Sequence, residues 1–223
     1  MPNIELHNEL NPKLWDKDEL DPKVRYALMK IALEFYKFLE VDVEIVDVII
    51  SGSQANYNYT SKSDVDVHLI VPFDRIGCDL PVDEFFDTKR RLWKEYHDNI
   101  KVNGLPVELY VEDLDDPAVS STYSLIKNTW IDHPEPPPSS INQEGVVNAY
   151  ASWSKVVKNA IKSNDLKLCR KVKEYVQHYR KAGLAKGGEY SVPNLVYKEL
   201  RNAGLISKLM DTINNLYDKS LSI

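Results

Sequence analysis

The 223-residue chain carries 43% hydrophobic and 10% aromatic residues, with 28 Lys and Arg against 34 Asp and Glu, a composition that excludes a disordered, fibrous or repeat-built protein. That length buries a core without disulfides. No apolar run approaches the roughly 18 residues of a membrane span, and the N-terminus has no basic stretch leading into an apolar one, so a cytoplasmic protein without membrane contact is expected.

The first element in chain order begins at Asp21-Pro22, where Asp caps and Pro takes the first helical position. Val24, Leu28, Ile31, Phe35, Phe38 and Leu39 recur at steps of three and four, which predicts one apolar stripe on a helix to about Glu40. Val43 to Ser51 is dense in β-branched residues and reads as a buried strand ending at Gly52. From Asp64 to Val71 the pattern alternates: Val65, Val67, Leu69 and Val71 face one way, and Asp64, Asp66, His68 and Ile70 the other. Phe85, Lys89, Leu92, Trp93 and Tyr96 outline a helix over 82–97. Asn103-Gly104 then sets a hairpin between two β-prone runs, and one or two short strands are expected near 122–131.

Pro136, Pro137 and Pro138 cannot continue a helix and mark a boundary. Beyond them helical periodicity runs over 143–162, 165–181 (closed by Gly183), 193–203 and 205–219. The expected fold is α+β: a small mixed β-sheet domain, residues 1–135, with helices on one face, followed by an all-helical domain, residues 141–223. Charge divides at the same place. Residues 141–223 hold 14 Lys and Arg against 7 Asp and Glu, a balance of +7, which leaves −13 on residues 1–140. A basic half beside an acidic one suits a polyanionic substrate such as a nucleoside triphosphate or RNA, and equally suits mutual attraction of the halves. Cys78 and Cys169 stand far apart, without partners at metal-ligand spacing, and read as buried reduced thiols.

The chemistry concentrates in ISGSQANYNYTSKSDVDVHLIV. Residues two apart on a strand share a face with Cα atoms about 6 to 7 Å apart, so Asp64 and Asp66 can converge on divalent cations. Magnesium takes oxygen ligands and binds through one or two carboxylates plus substrate phosphates. Taken alone, such a pair is common on solvated strands. Gly52-Ser53 directly after a buried strand adds a second requirement, close backbone approach and a hydroxyl for phosphate oxygens, although an ordinary turn would look the same. The third carboxylate is sought in PVELYVED, where Glu108 is the first choice and Glu112 and Asp113 remain open.

Gly-Ser, a ten-residue loop and Asp-hydrophobic-Asp-hydrophobic at a strand start resemble the signature of the polymerase-beta-like nucleotidyltransferases. That resemblance implies Gly52 and Ser53 as phosphate-binding residues. It implies Asp64, Asp66 and Glu108 as catalytic ligands of two Mg2+ (or Mn2+) ions. Glu108 would then also serve as acceptor-activating base, as in the branch resembling kanamycin nucleotidyltransferase. Two residues depart from the pattern: Ser51 replaces the usual hydrophobic residue before Gly-Ser, and Asn56 stands where many members carry Arg. More widely, Asn11 to Val71 with GEYSVPNLVYKELRNAGL resembles predicted bacteriophage nucleotidyltransferases, which would place the chain in a host cytoplasm.

The implied reaction moves a nucleoside monophosphate from a triphosphate, ATP by expectation, onto a hydroxyl of RNA, a protein or a small molecule. Asp64→Ala or Asp66→Ala should abolish it with the fold intact. Arg180, Lys181, Lys186, Tyr190 and Lys198, around a glycine-rich bend, suit phosphate contact and base stacking, with Lys181, Lys186 and Tyr190 the named nucleotide contacts. Solvated lysines on a helix connection are the competing explanation. His68 shares the aspartate face, either supporting the ligands or simply packed, and Tyr57 and Tyr59 are expected to pack the loop. The rival function is a non-catalytic nucleotide-binding or antitoxin-like regulatory module of the same fold.

Overall fold

The computed structural model describes residues 7–77, 81–116 and 120–222. Two compact units divide at Pro137/Pro138, where the proline run carries no regular structure.

In the first unit, β1 (Trp15–Asp16) and β2 (Glu19–Leu20) form a minimal hairpin ahead of α1 (Pro22–Leu39). The Asp21 carboxylate accepts from the amides of Lys23 and Val24, as its capping position requires. Val24, Leu28, Phe35 and Leu39 are buried as their spacing predicts, whereas Ala32 takes the deep position between them and Ile31 and Phe38 pack at the flank. A hairpin of two-residue strands carries no alternation to read, so β1 and β2 left no signal in the sequence.

The main sheet holds β3 (Asp47–Ser51), β4 (Val65–Val71), β5 (Lys101–Val102), β6 (Leu105–Asp113), β7 (Thr122–Ser124) and β8 (Thr129–Asp132), in the spatial order β5-β6-β4-β3-β7-β8. The predicted strand from Val43 starts only at Asp47, because residues 43–46 form no ladder. β4 and β6 are parallel, which needs a crossover, and α2 (Val82–Tyr96) supplies it. All other pairings are antiparallel. Asn103 and Gly104 both adopt positive φ, +48° and +80°, giving the tight turn that their sequence announces. Val65, Val67, Leu69 and Val71 lie within one core with Val48, Ile50, Leu28, Phe35 and Phe86, so α1 and α2 cover one face of the sheet. The opposite face carries the polar alternates.

The second unit contains α3 (Gln143–Ser163), α4 (Leu166–Gly187), α5 (Val192–Asn202) and α6 (Leu205–Leu221). Asn142 and Asp165 cap α3 and α4 through their side chains. Val157, Cys169, Val172, Val176, Val196, Leu200 and Leu209 share one core. Cys169 is buried there as expected, its thiol donating to the Ala160 carbonyl, while Cys78 lies outside the described residues. The expected stop at Gly183 is not where α4 ends: the helix continues to Gly187. A Cβ on Gly183 would sit 2.5 Å from the Pro193 side chain, so this glycine permits close helix packing rather than termination.

A polar knot ties α4 to α5. Asn194, 0% exposed, donates to the Glu189 carbonyl and carboxylate and accepts from Arg180 Nε. Lys198 Nζ lies 3.5 Å from Glu189 Oε2, and the Arg180 guanidinium sits over the Tyr197 ring. No helix among the described residues is long and apolar enough to cross a membrane.

Candidate active site

Strand register assembles the polar face. The antiparallel β3–β4 ladder opposes Ser51 to Asp66, and the parallel β4–β6 ladder opposes Asp66 to Glu108. Paired strands lie about 4.8 Å apart, so these residues stand side by side. Asp64, two positions before Asp66, projects from the same face. One carboxylate oxygen each of Asp64, Asp66 and Glu108 comes within 4.8 Å of the others, and all three side chains are half-buried. Of the three candidates for the third carboxylate, the ladder brings Glu108 to the pair. Glu112 sits farther along the same face beside His68, and Asp113 accepts from the Phe73 amide.

Three like charges so close repel unless positive charge joins them. α2 supplies part of it. Lys94 Nζ bonds Glu108 Oε1, and the Tyr110 hydroxyl donates to Oε2 at 2.8 Å. Burial pushes the Glu108 carboxyl up, but the hydrogen bonds from Lys94 and Tyr110 outweigh it and hold the group below the usual carboxylate range. Burial, with Asp66 and Glu108 adding to it, pushes the Tyr110 phenol well above its ordinary range, so it stays protonated and donates. The Arg90 guanidinium lies over the Tyr110 ring at 4.8 Å. Lys94 is largely exposed, and its ammonium meets the carboxylate at the solvent side of the cluster. Oxygen-only donors, mutually close and partly open to solvent, suit a hard divalent cation.

Gly52 explains itself here. Its φ is +72°, and a Cβ would fall 2.4 Å from Asp66 Oδ2. Only glycine lets the chain turn there with the carboxylate pressed against its backbone. Ser53 follows, buried, in a single 3-10 turn over Gly52–Ala55. The loop is fixed from below by Gln54, fully buried, which accepts from Asn11 and donates to the Ser63 carbonyl. The Gln54 carbonyl accepts from the Trp15 indole, and the Gly52 amide donates to Ser120 Oγ. Asn56 is buried and donates to Ser121 Oγ, a scaffold position rather than a solvent-facing one. Tyr59 stacks on His7 at 3.8 Å and Tyr57 packs against the core, as expected of the loop tyrosines.

Gly52, Ser53, Asp64, Asp66 and Glu108 thus occupy one end of one sheet face. Lys181 and Lys186 lie on α4 and Tyr190 in the turn after it, all in the helical unit. Lys198 is 9% exposed and belongs to the polar knot. Lys94, Gln54 and Tyr110 escaped the sequence reading, and Glu112, considered there as a third carboxylate, was not read as a partner of His68. Tyr110 and Glu112 continue the two-residue alternation from Glu108 and were readable that way. Lys94 reaches Glu108 across a helix-strand packing that no local pattern encodes.

Residues 29–133 match the model of the nucleotidyltransferase domain family, a span that includes Gly52, Ser53 and all three clustered carboxylates. No curated protein matches the chain. Among solved structures, a STING-associated CdnE c-di-GMP synthase from Capnocytophaga granulosa shares 14% identity, over 90% of this chain and 84% of that one, with a TM-score of 0.25.

Proposed function

From the premise that residues 29–133 are a nucleotidyltransferase domain and the chain a nucleotidyltransferase, we propose that it moves a nucleoside monophosphate from a nucleoside triphosphate to a hydroxyl acceptor, releasing pyrophosphate. The observation that carries this reading is the convergence of Asp64, Asp66 and Glu108 oxygens within 4.8 Å on one sheet face. Asp64, Asp66 and Glu108 would hold two Mg2+ or Mn2+ ions. Bound there, such ions neutralise phosphate charge and stabilise the attacking and leaving oxygens of an in-line displacement.

The chain's own groups then have distinct parts. Gly52 and Ser53 present backbone and hydroxyl to the triphosphate, with ATP the expected donor. Glu108, held below the usual carboxylate range, is ionised and would accept the acceptor's proton once Lys94 gives up its Oε1. Tyr110 keeps that carboxylate oriented by its hydrogen bond. Lys181, Lys186 and Tyr190 are proposed as further nucleotide contacts, with a raised KM for triphosphate in Lys186→Ala as the mark of that role. The acceptor is RNA, a protein or a small molecule.

One observation favours a second reading, a nucleotide-binding module without turnover: both oxygens of Glu108 are already engaged, by Lys94 and Tyr110. The deciding experiment incubates the chain with each labelled triphosphate, Mg2+ or Mn2+ and cell extract, following pyrophosphate and labelled acceptor. Pyrophosphate release that vanishes in Asp66→Asn supports transfer. Triphosphate binding by calorimetry with no pyrophosphate from any donor sinks it in favour of the module.

A further inference from the structure

The polar face of the sheet holds a second constellation, built from groups the carboxylate cluster does not use. His68 on β4 stands opposite Ile49 of β3 and Tyr110 of β6. Ser51 and Glu112, each two residues from those partners, therefore flank His68 on opposite diagonals of the same face. His68 Nδ1 is 2.7 Å from Glu112 Oε1, and His68 Nε2 is 2.9 Å from Ser51 Oγ. The Nδ1–Glu112 contact is a close ion-pair approach without hydrogen-bond alignment, and the tautomer with its hydrogen on Nδ1, facing the carboxylate, leaves the Nε2 lone pair toward the serine hydroxyl. The ring is held in that plane: Tyr110 stacks on it at 4.7 Å and 17°, and Tyr110 is itself fixed by Glu108 and Arg90.

The sheet does not demand this arrangement for packing. Ile49 and Ile70 occupy neighbouring positions on the same face, so apolar side chains are accommodated there. A buried imidazole paired with a carboxylate costs desolvation that an apolar residue at 68 would avoid. Ser51 is only half-buried, immediately before Gly52 and Ser53, and so open to a reactant.

We propose that Ser51 is a nucleophile, with His68 as its base and Glu112 as the group that orients the base. It takes a phosphorus(V) electrophile carrying a leaving group, a phosphoric ester or anhydride. In the step, the Ser51 Oγ–phosphorus bond forms as the bond from phosphorus to the leaving group breaks. The leaving group departs with the electron pair, and the hydroxyl proton passes to His68 Nε2, leaving an imidazolium held by Glu112. This is a covalent site separate in chemistry from the transfer assigned to the three carboxylates.

A dialkyl fluorophosphate tests it on the full chain in magnesium buffer, read by intact mass and peptide mapping. The expected result is addition of one dialkylphosphoryl group at Ser51, with loss of fluoride, while Ser53 stays unmodified. Ser51→Ala should abolish labelling, and His68→Gln should slow it by about a hundredfold or more. Glu112→Gln, at a half-exposed position, should slow it about tenfold and serves if His68→Gln does not fold. An unlabelled Ser51 in the wild-type chain overturns the proposal, as does labelling at the wild-type rate in folded His68→Gln or in Glu112→Gln. The probe requires neither nucleotide nor the carboxylate cluster. A negative result therefore leaves the nucleotidyl-transfer reading standing, and absence of nucleotidyl transfer leaves this one standing.

Discussion

Two clusters of ionisable residues, one in each unit, solve opposite problems. Asp64, Asp66 and Glu108 gather like charges on an open sheet face, with one largely exposed lysine beside them. Around Asn194 in the helical unit, Glu189 meets Lys198 and Arg180 meets the Asn194 amide oxygen, inside a packed core. The first arrangement gathers repulsion that a bound cation would relieve; the second pairs opposite groups and buries them in part. A functional polar cluster can thus be told from a structural one by whether its members need something else to be present.

The comparison breaks if the clusters respond alike to substitution. Asp66→Asn should lower nucleotidyl transfer by about a thousandfold or more, several kcal/mol of lost charge stabilisation. Its urea midpoint should stay the same or rise, because one of three mutually repelling carboxylates is gone. A large fall in that midpoint would mean that the cluster is structural.

Asn194→Ala should do the reverse. It leaves Arg180 Nε and the Glu189 carbonyl and carboxylate, all half-buried, without the fully buried amide that joins them. A cost of about 2 to 4 kcal/mol is expected, measured as faster hydrogen exchange across α4 and α5. Unchanged exchange would show that the knot is not what holds those helices.

Gly52→Ala sharpens the contrast, since it should touch both properties. Positive φ at a non-glycine residue costs about 1 to 2 kcal/mol, and the added Cβ displaces Asp66 Oδ2 from its place. Activity should fall about ten- to a hundredfold with a modest loss of stability. Wild-type activity would mean that the Asp66 carboxylate need not sit against residue 52.

How much was legible in the sequence follows from the same contrast. The carboxylates were readable because a strand's period of two fixes which side chains share a face, and Asp64, Asp66 and Glu108 obey it. The α1 stripe and the Asn103-Gly104 turn were readable for equally local reasons. Long-range pairings were not: Lys94 on Glu108, Gln54 beneath the loop, and Glu189 against Lys198 depend on tertiary packing. A basic, glycine-rich stretch suggested solvent-facing ligands, yet Lys198 turns inward, since it stands four and three residues after the buried Asn194 and Leu195 on α5. Gly183 misled in the same way, its missing side chain serving Pro193 rather than a helix end.

The smallest effect tests the buried side through proton linkage. Burial pulls the Lys198 ammonium down to about 8, with Glu189 opposing but not cancelling it. In the unfolded chain the group returns to its ordinary value near 10.5. Below pH 8 both states carry the proton, and the folded unit bears the full burden of a buried charge. Between pH 8 and about 9.5 the folded state releases it while the unfolded state keeps it, so this group's contribution to stability rises with pH. Relative to Lys198→Met, the wild-type helical unit should gain on the order of 1 to 2 kcal/mol over that interval. Urea unfolding of both proteins at pH 7.5, 8.5 and 9.5 reads the difference. Parallel curves would mean that Lys198 reaches water and that its pairing with Glu189 is a surface contact, which would put the helical cluster in the same class as the open one.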